Sequence, residues 1–140
     1  MEQEIKRALV ADDEAAFRLK MERRVLSQIL GYHVTIALND FEIRLNVKNT
    51  KYELIYLDLD ILGGKQFLLD LRANYDWSTL YNVPVITTTN NPFCVDEFAS
   101  LIEDTGSVLH TKPLCEDEFL IGIEKACNKS KNIKPLRKFV

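Results

Sequence analysis

The sequence predicts an α/β domain: a doubly wound, five-stranded parallel sheet with helices on both faces. Three observations lead there. Short apolar runs alternate five times with longer amphipathic segments along the 140 residues. The third run, "ELIYLD", is nearly all apolar, as a strand covered on both faces requires. The runs also end in polar residues, and the carboxyl ends of such strands face the working crevice.

The elements follow in order. "RALVA" (Arg7 to Ala11) is the first strand. In "EAAFRLKMERRVLSQIL", Phe17, Met21, Val25 and Ile29 recur at i, i+4, with Leu26 and Leu30 beside them. That is one apolar stripe on a helix, which Gly31 stops. "YHVTIAL" (Tyr32 to Leu38) is the second strand. "NDFEIRLNVKNT" is ambiguous, because Phe41, Ile43, Leu45 and Val47 alternate with the period of a strand. It is read as a helix because parallel neighbours need a crossover, with a loop or a distorted helix as the alternative. "ELIYLD" ends at Asp58, and Gly63 and Gly64 let the chain turn tightly into the helix "KQFLLDLRANY". Trp77, in "NYDWSTLYNV", is expected to anchor a loop. "VPVITTT" (Val83 to Thr89) is the fourth strand, with Pro84 at its start, where a missing N–H is tolerated. "VDEFASLIED" is a helix, "SVLHT" a short fifth strand, and "EDEFLIGIEKACN" a last helix with acids at its positive end.

Composition narrows the function classes. With 46% hydrophobic and 28% charged residues, the chain suits one soluble domain with a substantial core. A net charge of −3 is too mild to argue for nucleic acid as a partner, and none is expected within this chain. No apolar stretch approaches the roughly 20 residues of a membrane helix. "MEQEIKRALVADDE" mixes acids with bases and is no secretion signal, so a cytoplasmic location is expected. Cys94, Cys115 and Cys127 lack CxxC spacing and read as reduced packing thiols, while His33 and His110 are isolated, so no zinc site is expected. His110 is taken as a surface or packing residue. Residues 129–140 carry five basic residues and no acid, leaving −8 on residues 1–128. A domain over 1–128 followed by a basic tail is therefore expected. The tail is a docking or nucleic-acid segment on one reading and a solvated, partly disordered end on the other.

The strand ends gather the chemistry. Asp12 and Asp13 follow strand one, Asp58 ends strand three, Thr89 ends strand four and Lys112 follows strand five. Carboxylates held close repel one another unless a cation intervenes, and Mg²⁺ is the natural one, since it takes oxygen ligands from one or two carboxylates plus water and phosphate. Lys112 adds a compact positive charge and Thr89 a hydroxyl donor. Metal, ammonium, hydroxyl and a spare carboxylate suit phosphoryl transfer onto a carboxylate nucleophile, giving an acyl phosphate.

These residues resemble the receiver domain of bacterial two-component response regulators. The matching motifs are the acidic pair in "LVADDE", the aspartate of "LIYLD", the hydroxyl ending "PVITTT", and "TKP"; they span about Arg7 to Asn128. The flavodoxin-like strand order 2-1-3-4-5 is expected with them. The resemblance implies Asp58 as phosphoacceptor, Asp13 as a direct Mg²⁺ ligand, Asp12 as a ligand through water and the Asp60 carbonyl as a further one. Thr89 and Lys112 would contact the phosphoryl group. The donor would be a phosphohistidine on a sensor histidine kinase or a phosphotransfer protein. A downstream protein would read the phosphorylated surface. Such a domain is a phosphoacceptor that assists its own phosphorylation and dephosphorylation, not an enzyme with a separate substrate. The Asp60 side chain is expected to lean toward solvent, and Lys112–Pro113 to be cis.

Three features depart from that family's pattern. The loop after Asp58 is about two residues shorter than usual and lacks the common proline. Asn90 replaces a small residue, and Leu109 stands where an aromatic switch residue is common. Two alternatives therefore stand. "YLDLDIL" also resembles the first motif of haloacid-dehalogenase-type phosphatases, with Asp58 as nucleophile and Asp60 as general acid/base. The other alternative is a binding module that kept the fold and works without phosphorylation.

Overall fold

The computed structural model describes residues 5–14, 19–73 and 77–133. Five parallel strands, β1 (Arg7–Ala11), β2 (His33–Ala37), β3 (Leu54–Asp58), β4 (Val85–Thr89) and β5 (Val108–Thr111), lie in the order β2-β1-β3-β4-β5. Both the class and the order match the expectation. In-register pairs such as Val10 with Ile36 and Tyr56, and Leu57 with Thr87, set the strand ends level at one rim.

Strand parity then builds two cores. Leu9, Ala11, Ile55, Leu57 and Val85 face one side, against Ile43 and Val47 of α2 (Asp40–Asn49), Phe67, Leu68 and Leu71 of α3 (Gly64–Ala73) and Phe98 of α4 (Val95–Thr105). Ala8, Val10, Leu54, Tyr56 and Ile86 face the other. They meet Val25 and Leu26 of the first helical segment and Phe119, Ile123 and Ala126 of α5 (Glu116–Ser130). Most of these side chains are wholly buried. Each large one contributes about 1.5–3 kcal/mol of transfer free energy. No helix among the described residues is long and apolar enough to cross a membrane.

The first helix departs from the predicted stripe. α1 (Lys20–Arg24) widens into a π-helical segment, Val25–Ile29, in which Leu30 N–H reaches back to the Val25 carbonyl at 3.0 Å. Wider turns advance fewer degrees per residue, so Ile29 falls behind the buried face and is 48% exposed. Gly31, at φ 77°, ends the segment as expected. Phe17 lies outside the described residues.

The ambiguous stretch is a helix. Its period-two alternation splits into two i, i+4 stripes: Ile43 and Val47 are buried, while Phe41 and Leu45 face solvent. Asn39 caps it, accepting the Glu42 N–H at 2.9 Å, and Glu42 returns its carboxylate to the Leu38 N–H at 3.1 Å. Local capping thus decides what apolar spacing leaves open.

Buried polar groups tie the layers together. Arg72, fully buried on α3, donates to the carbonyls of Thr105 (2.7 Å), Tyr81 (3.0 Å) and Val83 (2.6 Å). Burial lowers its pKa to about 10, which still leaves it charged at neutral pH. Trp77 stacks on Phe67 with ring centres 5.7 Å apart, the anchoring role expected of it. His110 packs against Gly122, where a side-chain carbon would collide with its ring. α5 continues to Ser130, two residues past the expected domain boundary; Lys134, Arg137 and Lys138 of the tail lie outside the described residues.

Candidate functional site

Parity and register deliver the site. Asp12 continues β1, with its N–H donating to the Ala37 carbonyl (3.0 Å), and Lys112 continues β5, donating to the Thr89 carbonyl (2.9 Å). Asp12 shares the parity of Ala8 and Val10, Asp58 that of Tyr56, and Lys112 that of Val108. All three therefore emerge on the side covered by α1 and α5. Asp12 is fully buried, Asp58 is 1% exposed, and the Lys112 side chain is 9% exposed.

The ammonium of Lys112 is shared unequally. It stands 2.6 Å from Asp12 Oδ2, 3.2 Å from Glu14 Oε1 and 3.4 Å from Asp58 Oδ2. Burial works against its protonated form, but the hydrogen bond to Asp12 and the negative charges of Asp58 and Asp12 outweigh it and hold its pKa above the usual lysine value. Asp58 is less well compensated. Burial, the largest influence, together with the charges of Asp12 and Asp60, pushes its carboxyl up to about 6. The Asp60 N–H, 2.9 Å from Asp58 Oδ1, and Lys112 pull the other way.

Carboxylate oxygens of Asp12, Asp13 and Asp58 come within 4.8 Å of one another. Asp13 is the exposed member. A surplus of hard oxygen donors around a buried, under-compensated carboxylate fits a small divalent cation such as Mg²⁺.

The loop after Asp58 turns on its glycines. Gly63, at φ 83°, adopts a conformation L side chains avoid. A side-chain carbon on Gly64 would stand 3.1 Å from the Asp58 carbonyl oxygen, so the start of α3 can press close beneath the site.

Thr89, rather than Thr87 or Thr88, is the hydroxyl that reaches this loop. Thr87 turns away to the Val108 carbonyl at 2.8 Å. Thr89 Oγ1 donates to Asp60 Oδ1 at 2.8 Å, and the Asn90 N–H donates to Asp60 Oδ2 at 2.7 Å. This corrects the expectation that the Asp60 side chain leans outward. The residue is exposed, but both carboxylate oxygens are tied to the end of β4, because the β3–β4 register sets Thr89 level with the loop that Asp58 opens. Leu109 packs half-buried against the core that holds α2 to α4. Lys112–Pro113 is cis.

Sequence reasoning missed two acids. Glu14 touches Lys112 directly; its signal is the third consecutive acid in "DDE". Glu22 is 8% exposed, its carboxyl pushed upward by burial, and Oε2 has no hydrogen-bond partner. Its signal is a charge on the apolar face of the first helix. Both border a cleft of about 290 Å³ beside Lys112, which Asn90 and Leu114 also line.

No protein-family model matches the chain, nor does any curated protein. Solved structures do. A CheY-like response regulator receiver domain protein from Methanospirillum hungatei superposes with a TM-score of 0.70 at 20% identity, over 91% of this chain and 98% of that one. Chemotaxis protein CheY4 of Vibrio cholerae gives 0.69 at 20% identity, over 88% and 99%. A response regulator from Burkholderia pseudomallei, solved with a phosphorylated aspartic acid, calcium ion and citrate, gives 0.65 at 21% identity, over 90% and 71%. The chain has the fold of CheY-like receiver domains.

Proposed function

We propose that this chain is a phosphoacceptor signalling domain. Asp58 takes a phosphoryl group from a phosphohistidine on a sensor histidine kinase or phosphotransfer protein. The single observation that carries the reading is the convergence of buried Asp12, buried Asp58 and the Lys112 ammonium from three separate strand ends. A buried charge cluster of this kind costs stability, and such clusters concentrate at functional sites.

The chemistry follows from the residues. With its pKa near 6, Asp58 is mostly ionised at neutral pH and available as a nucleophile. Its oxygen bonds to phosphorus, the phosphorus–nitrogen bond breaks, and the imidazole leaves with the bonding pair. Lys112 neutralises negative charge on the transferring group, while Thr89 and the Asn90 N–H are donors for its oxygens. Asp12, Asp13 and Asp58, with the carbonyl of Asp60, would hold Mg²⁺. When bound, that ion neutralises the charge shared between the carboxylates and the phosphoryl oxygens. The solved Burkholderia relative carries both a phosphorylated aspartic acid and a calcium ion, which supports the same pairing here. Output passes to a downstream protein through surface contacts that change on phosphorylation, in a cytoplasmic setting.

The test is mass spectrometry after incubation with a small phosphodonor and Mg²⁺. A stoichiometric gain of one phosphoryl group, absent from Asp58→Asn, is the expected result. Continuous phosphate release, lost in Asp60→Asn, would instead reveal a phosphatase. No labelling in a folded protein would leave a binding module that works without phosphorylation.

A further inference from the structure

Asp60 occupies an unusual place. Its N–H holds Asp58 Oδ1 at 2.9 Å, while its two carboxylate oxygens take the Thr89 hydroxyl at 2.8 Å and the Asn90 N–H at 2.7 Å. Those are the donors that a phosphoryl group on Asp58 would need. The Thr89 hydroxyl has one hydrogen, and it is spent on Asp60; its oxygen already accepts the Asn91 N–H at 3.2 Å. We propose that the Asp60 carboxylate is a built-in competitor for the phosphoryl-oxygen site, an anion of the chain's own that must leave before Asp58 can be phosphorylated.

The inference rests on the phosphoacceptor reading and adds a regulatory residue to it. Charge and geometry both support it. Two charge-assisted hydrogen bonds, one to each oxygen, hold a carboxylate in a defined orientation. An incoming phosphoryl group brings further negative charge against it, so the two anions exclude each other. Asp60 is exposed, so its side chain can swing into water without unfolding anything. The short loop and its glycines keep the residue within reach of β4. A site so occupied responds only to donors strong enough to displace it.

Occupancy translates directly into affinity. If the carboxylate sits on its donors nine-tenths of the time, the apparent affinity for an anion there falls about tenfold. Asp60→Ala removes the competitor and keeps the backbone carbonyl and N–H. Asp60→Asn keeps the size but presents an NH₂ that cannot accept the Asn90 N–H. The experiment titrates beryllofluoride with Mg²⁺ into the full chain and into both variants, following the amide resonances of Thr89 and Asn90. The expected result is about tenfold tighter binding in Asp60→Ala, an intermediate gain in Asp60→Asn, and a shift of both amides in the free variants. Equal affinity in all three, with Asp58 still labelled by a phosphodonor, overturns the competitor and leaves the phosphoacceptor reading standing. No binding by any of the folded proteins overturns both.

Discussion

Replacing Asp58 by asparagine should make the metal-free protein more stable, although it removes the proposed reactive group. The carboxyl is raised from 3.8 to about 6 by burial and by neighbouring carboxylates. Between those values the native state binds more protons than the unfolded chain, so stability falls as pH rises from about 4 to 6. Above pH 6 the penalty is complete. Two pKa units correspond to about 3 kcal/mol. The attraction of the Lys112 ammonium, 3.4 Å away, is already contained in that value. Part of the penalty is offset because the asparagine amide must itself be desolvated at the same buried position. The amide oxygen can still accept the Asp60 N–H, so no backbone donor is orphaned. A net gain of about 1–2 kcal/mol remains, or about 3–8 °C in melting temperature. The assay is urea and thermal unfolding with chelator at pH 7.5 and at pH 5. The gain should appear at pH 7.5 and shrink at pH 5, where the parent carboxyl is largely neutral. An equal gain at both values, or a loss at pH 7.5, would refute the reasoning.

Added Mg²⁺ should raise the melting temperature of the parent at pH 7.5 and do little for Asp58→Asn, which lacks one of the three converging carboxylates. Thermal scans across a Mg²⁺ titration measure both. Arg72→Met should cost about 2–4 kcal/mol, because the carbonyls of Thr105, Tyr81 and Val83 lose their donor inside the protein; urea unfolding reads it as a lower midpoint. Asn39→Ala should cost about 1 kcal/mol by leaving the Glu42 N–H without its cap, measured the same way.

The reach of sequence reasoning here has a physical boundary. Asp12, Asp58 and Lys112 could be read from the sequence because parallel strands end together, and a charge that closes an apolar run has to lie at that rim. The strand order came with the likeness to receiver domains, since apolar spacing alone does not order strands. Asp60 was misjudged because its side chain answers to Thr89 and Asn90, donors 29 and 30 positions away, set beside it only by the β3–β4 register. Ile29 was placed on the buried face because a regular helical period was assumed through a segment that unwinds to i+5. In α2 the apolar alternation was neutral between strand and helix, and Asn39 and Glu42, both visible in the sequence, decide it. Glu22 was overlooked because a charge on a helix is ordinarily taken for a solvated one.

The bond between Lys112 and Asp12 joins residues 100 positions apart, the first strand to the last. Completing the charge cluster therefore requires closing one of the longest loops the chain can form, and contacts of that range form slowly. Until β5 docks beside β4, Asp12 and Asp58 have no ammonium between them and Thr89 has no strand at its outer edge. Chemical competence is thereby tied to the arrival of the C-terminal third of the chain. A nascent or clipped polypeptide ending before Lys112 would hold acids without their counter-charge.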